Sequence, residues 1–516
     1  MTIKFLRRMV LATAASALLF SAPFAAAQSD QEFRVVQAFE IKNFEPKANG
    51  WRFRTIGITE SLVVSDQQGN IIPGIAESWT TSADGKDWTF TLRKGVTFHN
   101  GTPVTAEAVK ASFEKLTPTS EFFSKAPIEG IEADGDKVIF RLSEPFGSFL
   151  SYIIDPSVGV LAPESFDADG KVVNLISIGP YKIADTELPR SIDLVRHQGY
   201  WGEVGKIEAI RLDSVSNPET RANIAAAGDA DLVLEIPSTS AKKVDAAGSM
   251  HIVSAPLPRV MMLMLNAAKP QFSDVNVRHA LSLAIDRAGI GAVAMGDAKL
   301  AANQYIPPSS EGWYFPDFPP LRYNVDEAKQ ILDKAGWVPG TDGIRLKDGV
   351  RFEGLLLTFP QRAYLPVTAE ALQAQFKEIG FDLKISVGES SLIPEGQRDG
   401  SLELALGIRT MVYQVPDPIS TLEIDFASDE VPVGATGSTG WKSEKLRQAV
   451  QDYQSTTDEA ERQPLRRVIA DILHQELPVI PITFSDEKWA ISNRVQGFVV
   501  DPVLQSWSLN KLSLKD

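Results

Sequence analysis

The sequence predicts an α/β architecture built from more than one domain. Three observations carry this. The chain has 516 residues, more than one core accommodates. Strand-like and helix-like patterns intermingle from end to end, as in α/β or α+β proteins. A helical stretch over Thr368–Ile379 closes on Gly380 and feeds a strand through Phe381, Leu383, Ile385 and Val387, which suits a sheet packed against helices.

The N-terminus reads as an export signal. Lys4, Arg7 and Arg8 precede the apolar run Val10–Phe20, and Ala25-Ala26-Ala27 follows. Cleavage is expected after Ala27, and no later stretch is long and apolar enough to span a bilayer. There is no cysteine, so neither disulfides nor a lipid-anchored N-terminal Cys is available, and the mature product is expected free in a periplasm. Losing residues 1–27 removes three positive charges and no negative one, so the formal charge of −15 becomes −18. A chain this acidic is a poor ligand for nucleic acid or anionic lipid.

The most strictly patterned stretch is 76–116, AESWTTSADGKDWTFTLRKGVTFHNGTPVTAEAVKASFEKL. Trp88, Phe90 and Leu92 alternate with polar residues as a half-buried strand requires. Lys94-Gly95 turns, Val96 and Phe98 resume the alternation, and Asn100-Gly101 turns again. Thr105 then caps a helix whose Ala106, Val109, Phe113 and Leu116 share one face. Val138, Phe140 and Leu142 mark another strand. Val277, Ala280, Leu281, Ala284 and Ile285 form a helical stripe. Asn324 with Glu327 opens a helix that Gly336 ends. Leu465, Val468, Ile469, Ile472 and Leu473 build a last long helix before the extended Pro478–Pro481.

Chemistry-bearing patterns are scarce. G-x-S-x-G is absent, and the five histidines, His99, His197, His251, His279 and His474, form no H-x-x-x-H pair. No phosphate-cradling glycine loop occurs. Most of the 9 Trp, 9 Tyr and 26 Phe belong in cores, but two clusters set arginine beside aromatic rings near turns: Gly50-Trp51-Arg52-Phe53-Arg54 and Arg409-Thr410-Met411-Val412-Tyr413. Such pairs can hold a carboxylate while a ring covers apolar surface. On these grounds the chain is a binding protein or an extracytoplasmic enzyme of unrecognised type.

Several motifs, in order, resemble one family. The stretch 76–116 is similar to the signature of the extracytoplasmic solute-binding proteins for peptides and nickel that serve ABC importers. So are Ile178-Gly179-Pro180-Tyr181, Gly199-Tyr200-Trp201-Gly202, Asn217-Pro218-Glu219-Thr220-Arg221 with Gly228-Asp229-Ala230-Asp231, and the run from Leu265-Asn266 through Val277-Arg278-His279-Ala280-Leu281 to Ala284-Ile285-Asp286-Arg287. The resemblance implies a two-lobed periplasmic binding protein fold with hinge strands and a subdomain inserted in the first lobe. The expected divisions are a signal peptide over 1–27, lobe I over 28–75, the inserted subdomain over 76–176, lobe I again over 177–264, lobe II over 265–484 and a lobe I tail over 485–516. Hinge crossings are expected near Leu263–Pro270 and Pro478–Lys488.

The resemblance also implies a function: capture of a small molecule between the lobes and delivery to an ABC permease with its ATPase subunits, by a monomer with no catalysis and no cofactor of its own. Peptide-binding relatives place an Asp in a W-x-x-D segment before a D-P pair; here Asp417-Pro418 puts Gln414 at the Asp and Met411 at the Trp. An amide cannot pair with a peptide's terminal ammonium. Glu389–Arg409 resembles the nickel-importing branch, which takes nickel wrapped in small chelators, so any metal would arrive inside the guest. That branch's arginines in the inserted subdomain have no counterpart in Thr117–Pro127, and Arg52 is the expected replacement. The expected ligand residues are Trp51, Arg52, Arg409, Tyr413 and Gln414, and the expected ligand is a nickel–organic chelate of metallophore type or a short peptide. The alternatives are an extracytoplasmic enzyme or a holdase-like protein on the same fold.

Overall fold

The computed structural model describes residues 32–66, 69–411, 417–428, 439–456, 458–504 and 506–515. Two lobes share one ten-stranded sheet. Its centre is a pair of long antiparallel strands, Met250–Leu265 and Val479–Ser492, which run through both lobes. On one side of this pair lie Leu232–Val233, Glu32–Gln37, Ala209–Ser214, Ser191–Arg196 and Tyr181–Glu187. On the other lie Leu404–Thr410, Glu353–Thr358 and Asp382–Val387. Parallel neighbours such as Glu353–Thr358 and Asp382–Val387 are joined through helix Tyr364–Glu378, the crossover that parallel pairing requires.

The long strands change core partway. Leu257, Trp489 and Ile491 pack in the first lobe, whereas Val260–Leu265 and Val479–Phe484 pack in the second. The change falls where Pro258 interrupts the pairing and the register shifts between Leu257 and Val260. This lies upstream of the Leu263–Pro270 segment picked out from sequence, because the apolar run Val260–Leu265 is buried in the second core. On the other strand the matching change falls between Phe484 and Trp489, where Phe484 pairs with Val260 and Ser485 with Leu257.

The stretch 76–116 opens a separate four-stranded sheet, ordered Ala76–Thr81, Asp87–Leu92, Lys137–Leu142 and Ile128–Asp134. Phe90, Val138 and Phe140 are fully buried, as their alternation predicts. Thr105 Oγ1 accepts from Ala108 N at 3.2 Å, capping helix Ala106–Leu116. Its Phe113 meets the Phe140 ring edge-on, 5.1 Å between centroids. The patterned stretch is therefore scaffold.

Other motifs of the sequence are also structural. Arg278 caps a helix end, its Nε and Nη2 donating to Glu476 O at 3.0 and 2.8 Å. Buried Arg287 donates to Pro481 O at 2.8 Å, and burial lowers its pKa to about 9. Asp231 accepts Arg494 Nε and Nη2 at 2.5 and 2.7 Å, tying the strand entry to the chain's C-terminal part. Among the described residues no helix is long and apolar enough to cross a membrane.

Candidate functional site between the lobes

Helix Pro46–Thr55 brings the first lobe to the seam. Proline at its first position needs no N–H partner, and Arg52 and Arg54 in its last turn suit the negative end of the helix dipole. Gly50 lets it press onto the chain at Pro156, where an added Cβ would lie 2.4 Å from Pro156 O. Arg52 then stacks on Trp51, its guanidinium carbon 4.2 Å from the ring centroid, and on Phe39 at 5.5 Å. Arg362 of the second lobe reaches the same Phe39 ring at 5.4 Å.

Behind Phe39 runs a buried chain of charges. Arg259 Nη1 donates to Glu487 Oε2 at 2.9 Å, and Arg362 Nη1 to Glu487 Oε1 at 2.8 Å. Arg362 Nη2 lies 2.8 Å from Glu235 Oε1, and Arg221 Nη2 4.0 Å from Glu235 Oε2. Burial favours the neutral form, and it prevails at Arg221 and Glu235, whereas the partners prevail at Arg362 and Glu487. Burial alone would lower the Arg362 pKa, yet Glu235, Tyr364 and Glu487 hold it well above the usual guanidinium range. Glu487, between Arg259 and Arg362, is held below the usual carboxylate range despite burial, whereas burial raises Glu235. Among the described residues, three buried arginines thus meet two buried glutamates. A cavity of about 50 Å³ opens here, lined by Phe39, Trp51, Arg259, Arg362, Glu487 and Trp507 among others.

The expected site residues separate. Trp51 and Arg52 stand at the seam. Arg409 lies on strand Leu404–Thr410 with its side chain 13% exposed, and its Nε donates to Asp425 Oδ2 at 2.8 Å. Tyr305 OH donates to the same oxygen at 2.8 Å, so Arg409 is anchored within the second lobe. Tyr413 and Gln414 lie outside the described residues. Met411 is fully buried, and Asp417 accepts from Tyr453 OH at 2.9 Å and Ile419 N at 3.0 Å. In Thr117–Pro127, Ser120 Oγ donates to Asp155 at 2.6 Å, so part of that segment's polarity is used internally.

Sequence reasoning missed Arg221, Arg259, Glu235, Arg362 and Glu487. Arg221 was legible as part of the Asn217–Arg221 motif, but its partner sits beyond the next strand. Its fully buried guanidinium donates to Leu234 O, Val215 O and Glu235 O.

The remaining polar clusters have structural explanations. His99 Nε2 and His197 Nδ1 both lie on Gly179 O, at 3.1 and 3.2 Å, and burial lowers the His99 pKa to about 3. No group of three or more His, Cys, Asp or Glu that could hold a metal occurs among the described residues. A cavity of about 450 Å³ lies in the first lobe, lined by Arg54, Glu60, Tyr200, Asp501 and Lys511 among others, and its described lining residues all belong to that lobe. Its Glu60 accepts from Tyr200 OH at 2.5 Å and Trp201 Nε1 at 2.8 Å, anchoring the Tyr200-Trp201 pair.

The chain is similar to known proteins in sequence and in fold. The nickel-binding periplasmic protein of Escherichia coli K12 is 29% identical over 446 residues, 83% of either chain. The glutathione-binding protein GsiB of Shigella flexneri serotype 5b is 24% identical over 463 residues, 86% of either chain. The fold is that of Staphylococcus aureus NikA, solved in complex with Ni(L-His)2: the TM-score is 0.83 at 19% identity, over 94% of this chain and all of that one. The family described as bacterial extracellular solute-binding proteins, family 5 Middle, matches residues 70–430. With two lobes meeting around a buried, cation-rich seam and a family match over most of its length, the chain belongs to the family 5 extracellular solute-binding proteins.

Proposed function

We propose that the chain is the periplasmic capture component of an ABC importer of the peptide/nickel class. It takes a small carboxylate-bearing guest between its lobes and hands it, as a monomer and without chemistry, to the membrane permease and its ATPases. The guest is a nickel–organic chelate or a short peptide, the former favoured by the absence of an acidic residue at Gln414. The relatives bear on both classes, one named for nickel and one for glutathione.

The observation that carries this reading is the charge at the seam. Arg259 and Arg362 line the cavity beside Phe39 and Trp51 together with their partners Glu235 and Glu487, so guanidinium groups and aromatic rings stand together at the seam. Guanidinium groups beside aromatic walls favour a guest with a carboxylate and an apolar part. Closure follows because a guest that touches both lobes binds only the closed form fully.

Titration calorimetry tests this with nickel plus histidine, nickel alone, glutathione, and one tripeptide as its free acid and in C-terminally amidated form. Heat is expected from the first or third and not from nickel alone. Arg52→Ala is expected to weaken that binding about tenfold, as loss of a charge-assisted contact does. Heat from the amidated peptide equal to that from its free acid would remove the carboxylate reading; heat from peptides only would remove nickel. Unchanged affinity in Arg52→Ala would take Arg52 out of the site.

A further inference from the structure

The lobes also meet at a second place, which the charge chain does not explain. The inserted subdomain offers the short segment Phe146–Ile153, whose helix Phe149–Ile153 carries Tyr152, fully buried against the Phe146 ring. Tyr152 OH donates to Glu423 Oε2 of the second lobe. Gln454 Nε2 donates to Glu423 Oε2 at 2.8 Å and to Tyr152 OH at 2.6 Å. Gly147 N donates to Gln454 O at 3.0 Å, and Arg462 Nη2 to Ser148 Oγ at 3.3 Å. One subdomain segment is therefore held by three separate second-lobe elements: the turn Glu423–Ala427, helix Glu444–Ser455 and helix Glu459–Glu476.

We propose that Tyr152, Glu423 and Gln454 form a latch that favours the closed form without a guest and limits how long a guest can be. This rests on the two-lobed capture described above and adds a determinant of selectivity to it. The physical reasons are two. Hydrogen bonds among a buried phenol, carboxylate and amide are exchanged on opening for bonds to water, so their net worth is small and the open and closed forms stay close in free energy. With Tyr152 and Gln454 buried at this contact, no chain can pass between the lobes here while the latch is made. A compact guest binds the latched form directly, whereas a guest extending past this edge must first break it. The latch group sits two residues from Asp425, the anchor of Arg409, on one turn.

Tyr152→Phe removes the phenol's hydrogen bonds and Glu423→Met removes the shared acceptor, each with little change of side-chain length. Small-angle scattering of guest-free protein is expected to show a larger radius of gyration in both variants than in the wild type. In calorimetry, glutathione or nickel with histidine, whichever binds the wild type, is expected to bind each variant about tenfold more weakly, the fraction of closed form having fallen. A nine-residue peptide is expected to gain on that compact probe by at least the same factor. Identical scattering in wild type and both variants, with thermal midpoints showing them folded, overturns the latch. An unchanged ratio of long to compact probe overturns the size limit. If neither compact probe binds the wild type, the proposed guests are wrong, while the scattering comparison still decides the latch.

Discussion

Arg362 and Glu235 meet at 2.8 Å across the line where the two hydrophobic cores part. Glu235 adopts a positive φ of 57° to make this contact, a conformation uncommon outside glycine. The second lobe's guanidinium also holds Glu487 of the crossing strand, so one side chain bridges the first lobe, the second lobe and a strand shared by both. Arg362→Ala leaves two buried carboxylates short of a partner. Destabilisation of about 3–5 kcal/mol is expected, measured by denaturant unfolding at neutral pH. A loss under about 1 kcal/mol would show that the chain of charges is not what holds the seam.

Gly179 carries a heavier constraint than any other residue of its motif. Two buried imidazoles lie on its carbonyl, and a Cβ at this position would fall 2.3 Å from Gly57 O and 2.6 Å from Ile58 O. These are backbone atoms that cannot swing aside. Gly179→Ala is expected to exceed the roughly 1–3 kcal/mol of ordinary overpacking. A melting temperature within a degree of the wild type would contradict this packing.

Glu60 makes stability depend on pH. Burial, opposed by the Tyr200 and Trp201 hydrogen bonds, raises its pKa from 4.5 to about 7. The native state therefore keeps this proton where the unfolded chain has lost it. The group's contribution to stability falls as pH rises from about 4.5 to about 7, by roughly 3 kcal/mol if fully expressed. Glu60→Gln is expected to flatten the dependence of thermal midpoint on pH across that window. A slope unchanged from the wild type would place the titration elsewhere.

What could be read from sequence was what is local. The strand of Trp88, Phe90 and Leu92 shows its period, its turns carry glycine, and Thr105 announces the helix that follows. The helix expected from Thr368 begins at Tyr364, because Pro366 conceals its start while costing nothing in a first turn. The crossing strand Met250–Leu265 hides its role: its buried half, Val260–Leu265, has no alternation, and such a run suits strand or helix equally. The seam was the least legible part. Arg221, Glu235, Arg259, Arg362 and Glu487 are scattered across most of the chain, and only the topology of the shared sheet gathers them. Arg52 stands out in the sequence because an aromatic neighbour accompanies it, and the two stack at the seam.

In the proposed function an intact small molecule is held between the lobes and released unaltered. Native mass spectrometry of protein isolated from its own periplasm tests it most directly, with the released mass identified after denaturation. One small carboxylate-bearing guest per chain is expected, free or wrapped around a metal, recovered unchanged after incubation. Empty protein that steadily converts an added peptide into fragments would contradict capture without chemistry.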